Sequence, residues 1–417
     1  MRIQTILNRV EKFKSFVYGE AHPEGQDDGP APVVRIEPRK NRRVFCPGCG
    51  RRGPAYDRLE GRRFEFVPLW GASVFPAYRM RRVNCKRCGI TVEMVPWGDG
   101  ETQPTATYRW YLASGARRLS RSEVGSIFRT SWESVSRAVE HAVEWGPAHR
   151  DKSGVTALGV DEIAWARGHT YLTRVYDIGG GTKRLWAVAQ ERTEASPRGR
   201  LESLGEPVCP GVKFVCSDMW RPYLNVIAER LGQAIHVLDR SHVMQQFGEA
   251  PDEVRAEEAK RLVREGYEPV LKGSRWCFLK RPENLTDKRT VKLSEPLKSN
   301  LRAVRAYLLR EGFQRLWESK SAWWAGESLD EWASRVMRSR LEPMKEIARS
   351  IRSHRPLILN WFRARGQVSS GAVEGLNDKV KRVTRKSYGF RTARVAKLAL
   401  LHNLGHLPEP KRTHRFC

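Results

Sequence analysis

The sequence predicts a multidomain α+β protein: a small cysteine-centred module, a helical segment, a mixed α/β domain and a long all-helical stretch, in that order. Three observations predict it. Two CxxC pairs, Cys46-Pro-Gly-Cys49 and Cys85-Lys-Arg-Cys88, bracket a stretch of strand-like alternation. Between about 154 and 245, short apolar runs separated by turn residues follow the order β-β-β-(α)-β-α-β. Residues 246–355 read as helices rich in Arg, Lys and Glu, with Trp276, Trp317, Trp323, Trp324 and Trp332 among them.

Composition bounds the class. The chain has 417 residues, which at roughly 150 per domain suggests two to four domains. Its 40% hydrophobic content supports real cores and excludes a disordered chain. A net charge of +28 speaks to partners rather than fold, and a polyanion, DNA or RNA first, is expected. A basic ribosomal or membrane-surface protein is the plain alternative, but 14 Trp and the chain's length argue against the ribosomal one. No apolar run reaches about 18 residues, so no transmembrane helix is expected. The N-terminal MRIQTILNRVEKFKSFVYGE is charged throughout and lacks a signal-peptide core. A cytoplasmic location with mostly reduced cysteines follows as the expectation.

Residues 1–40 read as a lead-in with a Gly/Pro/Asp-rich break at HPEGQDDGPAP. The cysteine module spans about 41–97. Cys46, Cys49, Cys85 and Cys88 together complete a tetrahedral zinc shell of the structural kind, and Gly50 and Gly89 behind each pair suit tight knuckle turns. The intervening RRFEFVPLWGASVFPAYRMRRV alternates like two strands, giving a zinc-ribbon-like module. The competing reading is two unrelated CxxC pairs in a reducing cytosol, one of them redox-active. Arg51, Arg52, Arg62, Arg63, Arg79, Arg81, Arg82, Lys86 and Arg87 surround the module, which suggests that it also touches DNA.

Residues 103–147 contain a candidate helix-turn-helix. Ser120 or Ser122 caps a short helix ending near Phe128, and Arg129-Thr130-Ser131 turns into a second helix from Trp132 to about Trp145, capped by Ser131. Val135, Val139, Ala142 and Val143 form its buried stripe. Arg129, Ser134 and Arg137 lie where a groove-reading helix makes its DNA contacts. A plain helical linker is the alternative.

In 154–245, TALGVDEIAWA, TYLTRVYDIG and RLWAVAQERT read as three strands, and KFVCSD and AIHVLD as two more, separated by the helical WRPYLNVIAERLG. Asp161 and Asp218 end strand-like runs, where α/β folds place chemistry. Glu374 opens a helical segment on which Glu374, Asn377, Asp378 and Lys381 share a face at helical spacing. Carboxylates gathered in this way raise one another's pKa unless divalent cations offset the charge, and Mg²⁺ (or Mn²⁺) suits such oxygens. A lone aspartate at a strand end is also commonly a turn residue, so the residues alone leave both readings open. Asp239 and His242 in LDRSH are either support for this site or a helix cap with a locally satisfied histidine.

These motifs together resemble the bacterial insertion-sequence transposases of the ISL-three type, whose chemistry is of the DDE class. The resemblance runs from about Cys46 to about Pro410 and includes the paired knuckles, GVDEIAWARGHTYLT, SDMWRPY, LDRSHV, VEGLNDKVKRVTRKSYGFR and LLHNLGHLPEP. It implies an RNase H-like α/β catalytic core, with a first part at 154–245, an all-helical insertion at 246–355 and a C-terminal part at 356–410. It implies Asp161, Asp218 and Glu374 as the metal-binding triad, Asp239 and His242 as secondary support, and double-stranded DNA, both element ends and target, as substrate. Lys379, Lys381, Arg382, Arg385 and Lys386 lie close enough to Glu374 in sequence to contact that DNA. Holding two ends implies a homodimer or a larger synaptic complex. Ser241 departs from the pattern, where an aromatic residue is expected. The alternatives are a DNA-binding regulator with a decayed core and an RNase H-like nuclease without strand transfer.

Overall fold

The structure is a computed structural model that describes residues 2–26, 29–40, 42–98, 103–166, 170–190, 209–268, 270–279, 284–297, 301–364, 367 and 370–411. The chain forms two compact units, Met1–Arg150 with His406–Cys417, and Asp151–Gly405.

In the first unit α1 (Ile3–Val10) precedes an antiparallel pair, β1 (Phe16–Gln26) and β2 (Gly29–Pro38). A small hairpin follows, β3 (Val44–Phe45) with β4 (Arg52–Gly53), and then β5 (Ala55–Arg63), β6 (Phe66–Leu69), β7 (Ala72–Cys85) and β8 (Gly89–Val92). The long β7 organises one sheet of order β1-β2-β7-β5, with β6 and β8 also paired to it. Residues 1–40 are therefore not a lead-in. Val34 and Ile36, both buried, give β2 an apolar face, and a strand with such a face must be covered. The run Arg62–Val83 carries β6 and most of β7, the two strands expected, and the stretch between the CxxC pairs adds β4 and β5 before them.

The helical part of this unit matches the sequence pattern closely. α2 (Ala106–Ala116) is followed by α3 (Arg121–Ile127) and α4 (Trp132–Ala148). Ser120 caps α3 in a reciprocal box with Glu123, and Ser131 caps α4 by accepting from the Ser134 N–H. Arg129, at φ 52°, makes the turn between them. Val135, Ala138, Val139 and Ala142 on α4 are buried with Trp110, Leu112 and Val124. The segment from His406 onward also belongs here, not to the later α/β part as 356–410 implied. A β-carbon on Gly146 would stand 2.7 Å from Leu407 Cβ, and Arg117 pairs with Glu409 at 2.8 Å.

The second unit is built on a five-stranded sheet. β9 (Ala157–Ala166), β10 (Thr170–Asp177) and β11 (Arg184–Gln190) run antiparallel, while β12 (Phe214–Ser217) and β13 (Ile235–Leu238) run parallel to β9 on its other side. The order is β11-β10-β9-β12-β13. The helix expected between β11 and β12 falls in 191–208, outside the described residues. α5 (Arg221–Arg230) buries Tyr223, Val226 and Ile227 against Leu158, Val160 and Val215 on one face.

The helical body begins earlier than residue 246, because α6 (Arg240–Arg264) starts directly after β13. It continues through α7 (Arg275–Leu279), α8 (Asp287–Leu297), α9 (Arg302–Gln314), α10 (Ala322–Met337), α11 (Glu342–Ser353) and α12 (Arg355–Arg363). Phe247, Phe313, Trp317, Trp332 and Phe362 lie in one core, whereas Trp276, Trp323 and Trp324 are exposed. α12, expected with the C-terminal part of the catalytic core, buries Ile358, Leu359 and Phe362 in this helical core. Its Asn360 donates to the His236 carbonyl of β13 at 2.8 Å. α13 (Ser370–Lys386) and α14 (Ala393–Leu404) complete the unit. Val373, Leu376, Val380 and Val383, spaced three, four and three apart, give α13 its buried stripe. Among the described residues no helix is long and apolar enough to cross a membrane.

Candidate functional site

The sheet of the second unit sets the site. β12 is parallel to β9 with Cys216 opposite Gly159, and parallel to β13 with Ser217 opposite Leu238. Continued by one or two residues, this register puts Asp161, Asp218 and Asp239 level with one another on three adjacent strands: Asp218 and Asp239 follow the last residues of β12 and β13, whereas Asp161 does not end its strand as expected, because β9 runs on to Ala166. Their chain positions differ widely, so only strand pairing makes them neighbours. Asp161 and Asp239 are buried and Asp218 is half-buried.

Each aspartate is anchored differently. Asp218 Oδ1 accepts from the Trp220 N–H at 3.0 Å, which turns the chain toward α5. Asp239 caps α6, accepting from the Ser241 N–H at 2.7 Å and the Ser241 hydroxyl at 2.6 Å. The capping alternative for Asp239 is thus realised, and Ser241 has a defined use there. His242, by contrast, is not confined to local partners: its Nε2 lies 3.9 Å from Asp161 Oδ1. Asp161 Oδ1 also accepts from the Glu162 N–H at 2.7 Å, and Oδ2 accepts from Arg174 at 3.3 Å and from the Asn377 amide.

Glu374 reaches this end of the sheet because α13 lies directly over β9. A β-carbon on Gly159 would stand 2.7 Å from Val373 Cγ2, so glycine is what admits the helix. Glu374 follows Val373 and is exposed, and Asn377, one turn further, bonds Asp161. The shared face read from sequence divides here: Asn377 turns inward, while Asp378 and Lys381 pair with each other at 3.1 Å in solvent. Burial, and then the charges of Asp239, Asp161 and Glu374, push the Cys216 thiol up. Three acids therefore project their field onto one buried point. Among the described residues, though, Asp161, Asp218 and Glu374 do not close to within 4.8 Å of one another.

Sequence reasoning missed Arg174 and Tyr176. Arg174 is 1% exposed, directly opposite Asp161 in the β9–β10 register, and donates to Tyr176 Oη at 2.6 Å and to the Glu162 carbonyl at 2.7 Å. The signal was available: an arginine in the middle of the otherwise buried strand TYLTRVYD requires a fixed acceptor.

The four cysteines of the first unit converge. Among the described residues they are the only group of three or more His, Cys, Asp or Glu whose ligand atoms all lie within 4.8 Å of one another. One pair sits on the β3–β4 turn and the other on the β7–β8 turn. Gly50 at φ 69° and Gly89 at φ 76° take the left-handed conformation that each knuckle needs. The Cys49 N–H holds the Cys46 thiol down to about 6, and the Cys88 N–H lowers Cys85. Cys88 is pushed up, to about 12, by its hydrogen bond to Cys46. Four such sulfurs cannot all ionise without a cation at their centre, and this donor set is compatible with a zinc module.

The arginines near the cysteines are not equivalent. Arg81 is buried and bonded to Glu93 through Nε at 3.0 Å and Nη2 at 2.8 Å, so it faces the core of the strand rather than a partner. Arg63 pairs with Glu24 at 2.6 Å, and Arg82 with Asp57. Of the residues expected at DNA, Arg129, Arg137, Lys379, Lys381, Arg382 and Arg385 are exposed and Lys386 is half-buried. The Ser134 hydroxyl accepts from Ser131 at 3.0 Å.

Comparison with known proteins shows the family. Residues 158–400, more than half of the chain, match the ISL3-type DDE transposase family. The chain is 30% identical to the transposase for insertion sequence element IS1557 of Mycobacterium tuberculosis, over 93% of its own length and 92% of that protein's. It is 28% identical to the transposase for insertion sequence element IS1001 of Bordetella parapertussis, over 90% and 92% of the two lengths. The family implies an RNase H-like core and action on DNA, and the chain belongs to the ISL3-type family of insertion-sequence transposases.

Proposed function

We propose that this transposase cuts the ends of its insertion sequence and joins them to target DNA at one carboxylate site formed by Asp161, Asp218 and Glu374. The observation that carries the reading is the placement of Asp161 and Asp218 level on adjacent parallel strands, with the Glu374 helix seated over β9 through the Gly159–Val373 contact. These acids would hold divalent Mg²⁺ or Mn²⁺, which when bound polarises the scissile phosphate and stabilises the departing oxygen. Asp161 and Asp218, on rigid strands, fix the position of the reacting phosphate, and Glu374 closes the site from the helix. Asp239 and His242 support it, Asp239 by fixing the start of α6 and His242 by facing Asp161. No covalent protein–DNA bond is needed, because a water and then a 3′-hydroxyl serve as successive nucleophiles.

Recognition is assigned to the first unit and to α13. α3 and α4 form a helix-turn-helix in which α4 enters the major groove, with Arg129, Ser134 and Arg137 at its leading end. The cysteine cluster holds a structural zinc. A groove of about 550 Å³ on the first unit's sheet is lined by Arg58, Arg62 and Arg79, and by Arg35 and Arg63 paired with Glu37 and Glu24; its excess of arginine offers phosphates a further track. Lys379, Lys381, Arg382, Arg385 and Lys386 hold the backbone beside Glu374. Binding this dependent on phosphates weakens steeply as salt rises. Two ends are processed together, so the active species is a homodimer or a larger synaptic assembly.

The test is an excision and integration assay in cells, with the gene's own flanking DNA as donor, comparing the native chain with Asp218→Ala. Transposition by the native chain that vanishes in the variant is the expected result. Equal transposition by both refutes the role of Asp218. Failure of both, with flanking DNA still bound, identifies a DNA-binding protein whose core no longer cuts.

A further inference from the structure

Four side chains close a ring around the first acid. Arg174 Nη1 donates to Tyr176 Oη at 2.6 Å, Tyr176 Oη donates to Asn377 Oδ1 at 2.9 Å, the Asn377 amide donates to Asp161 Oδ2, and Arg174 Nη2 returns to the same oxygen at 3.3 Å. Each member can play only the part it has. The arginine only donates, the carboxylate only accepts, and the tyrosine hydroxyl and the asparagine amide do both. The amide orientation is fixed by this: flipped, its oxygen would face the carboxylate and its NH₂ the tyrosine. Arg174 and Tyr176 are alternate residues on β10, so they share a face of the sheet, and Gly159, opposite Tyr176, shares it with Asp161. That face is the one α13 covers.

We propose that Arg174, Tyr176 and Asn377 are positioning residues, which lock the Asp161 carboxylate and tie it to the turn of α13 that carries Glu374, so that strand and helix present their acids as one unit. The proposal rests on Asp161 and Glu374 being catalytic. Apolar packing between a strand and a helix, such as the Gly159–Val373 contact, tolerates sliding. A ring of directed hydrogen bonds does not, because each bond polarises the next and each broken bond leaves a buried polar group unpaired. A third Arg174 bond, to the Glu162 carbonyl at 2.7 Å, holds the guanidinium against β9 as well.

The test uses the purified full-length chain and four variants: Tyr176→Phe, which keeps the ring volume and removes one hydroxyl, Asn377→Ala, the two combined, and Asp161→Asn. Three readouts are taken: melting temperature, Mn²⁺ binding without DNA by electron paramagnetic resonance, and cleavage of a duplex carrying the gene's flanking DNA as Mn²⁺ is raised. In Tyr176→Phe the half-saturating Mn²⁺ should rise by about tenfold and cleavage should fall by about tenfold or more, the usual scale for groups that orient metal-binding side chains. Tyr176→Phe and Asn377→Ala combined should be little worse than the weaker of the two, because either alone opens the ring. A lower melting temperature with unchanged Mn²⁺ binding and unchanged cleavage overturns the proposal and leaves a purely structural role. Cleavage by Asp161→Asn at the native rate instead overturns the catalytic reading beneath it. Loss in Asp161→Asn with native behaviour in the other three overturns the positioning role alone.

Discussion

Gly159→Ala puts the seating of the Glu374 helix to a quantitative test. The added β-carbon would stand 2.7 Å from Val373 Cγ2, with Ile178 Cγ2 next at an ordinary 3.5 Å. Carbon atoms pack at about 3.5–4.0 Å, so the shortfall is roughly 1 Å. Val373 cannot swing aside easily, being β-branched and 3% exposed, so relief requires movement of α13. Two effects oppose each other. Replacing a strand glycine stabilises by about 0.5–1 kcal/mol where the space is open. Overpacking a core costs about 1–3 kcal/mol. The clash should win, leaving the protein about 1–2 kcal/mol less stable in urea unfolding. Cleavage should fall further than stability, by on the order of 100-fold, because an error of about 1 Å in placing Glu374 is costly to in-line attack. The control is the same change in a Val373→Ala background, where the clashing methyl is gone. There Gly159→Ala should be neutral or slightly stabilising. A single Gly159→Ala variant as stable as its parent and cleaving at the parental rate would refute the argument that this glycine admits the helix.

Three further outcomes are expected. Cys85→Ser, or a strong chelator applied to the native chain, should remove about one zinc per chain by atomic absorption and unfold the first unit, because metal affinity at a four-thiolate site is folding free energy; unchanged circular dichroism after chelation would show the cluster dispensable. His236→Gln should flatten the acid limb of stability. Burial holds the His236 imidazole down to about 4, against an ordinary 6.5, so its neutral form is favoured in the fold, and the stability it confers is complete above about 6.5 and lost as pH falls toward 4. That loss amounts to up to about 3 kcal/mol in the native chain, read as the difference between the two proteins in urea unfolding from pH 7 to 4.5. Glu258 is fully buried and accepts from the Arg302 and Ala303 N–H groups at 2.8 and 2.6 Å, capping α9 from another helix where Leu301 offers no side-chain cap. Glu258→Ala should therefore cost about 2–3 kcal/mol of stability, and a loss under 0.5 kcal/mol would contradict it.

Much of the architecture was legible because local chemistry and tertiary demand agree. Ser120 with Glu123, and Ser131 before Trp132, announce two helix starts that any context would respect. The strand runs TALGVDEIAWA, TYLTRVYDIG, RLWAVAQERT, KFVCSD and AIHVLD became β9 to β13, since short β-branched runs between turn residues have few other uses. The misreadings arose where composition masks pairing. Residues 1–40 look like a linker by their Gly, Pro and Asp content, yet β2 finds its partner in β7, far along the chain. Arg81 looks like one more surface cation, yet its position in β7 turns it inward to Glu93.

The sequence by itself determined the residue types that the chemistry needs, the family, the four-cysteine set and the charge that a DNA partner answers, because these depend on identity and spacing along the chain. Only the tertiary structure decided that Asp161, Asp218 and Asp239 stand level, since strand register is a property of pairing and not of any one strand. It also decided that Gly159 is the seat of the Glu374 helix and that Arg174, Tyr176 and Asn377 close on Asp161. Those contacts join residues as much as 216 positions apart, and hydrogen-bond geometry at that separation exists only once the sheet and α13 are packed.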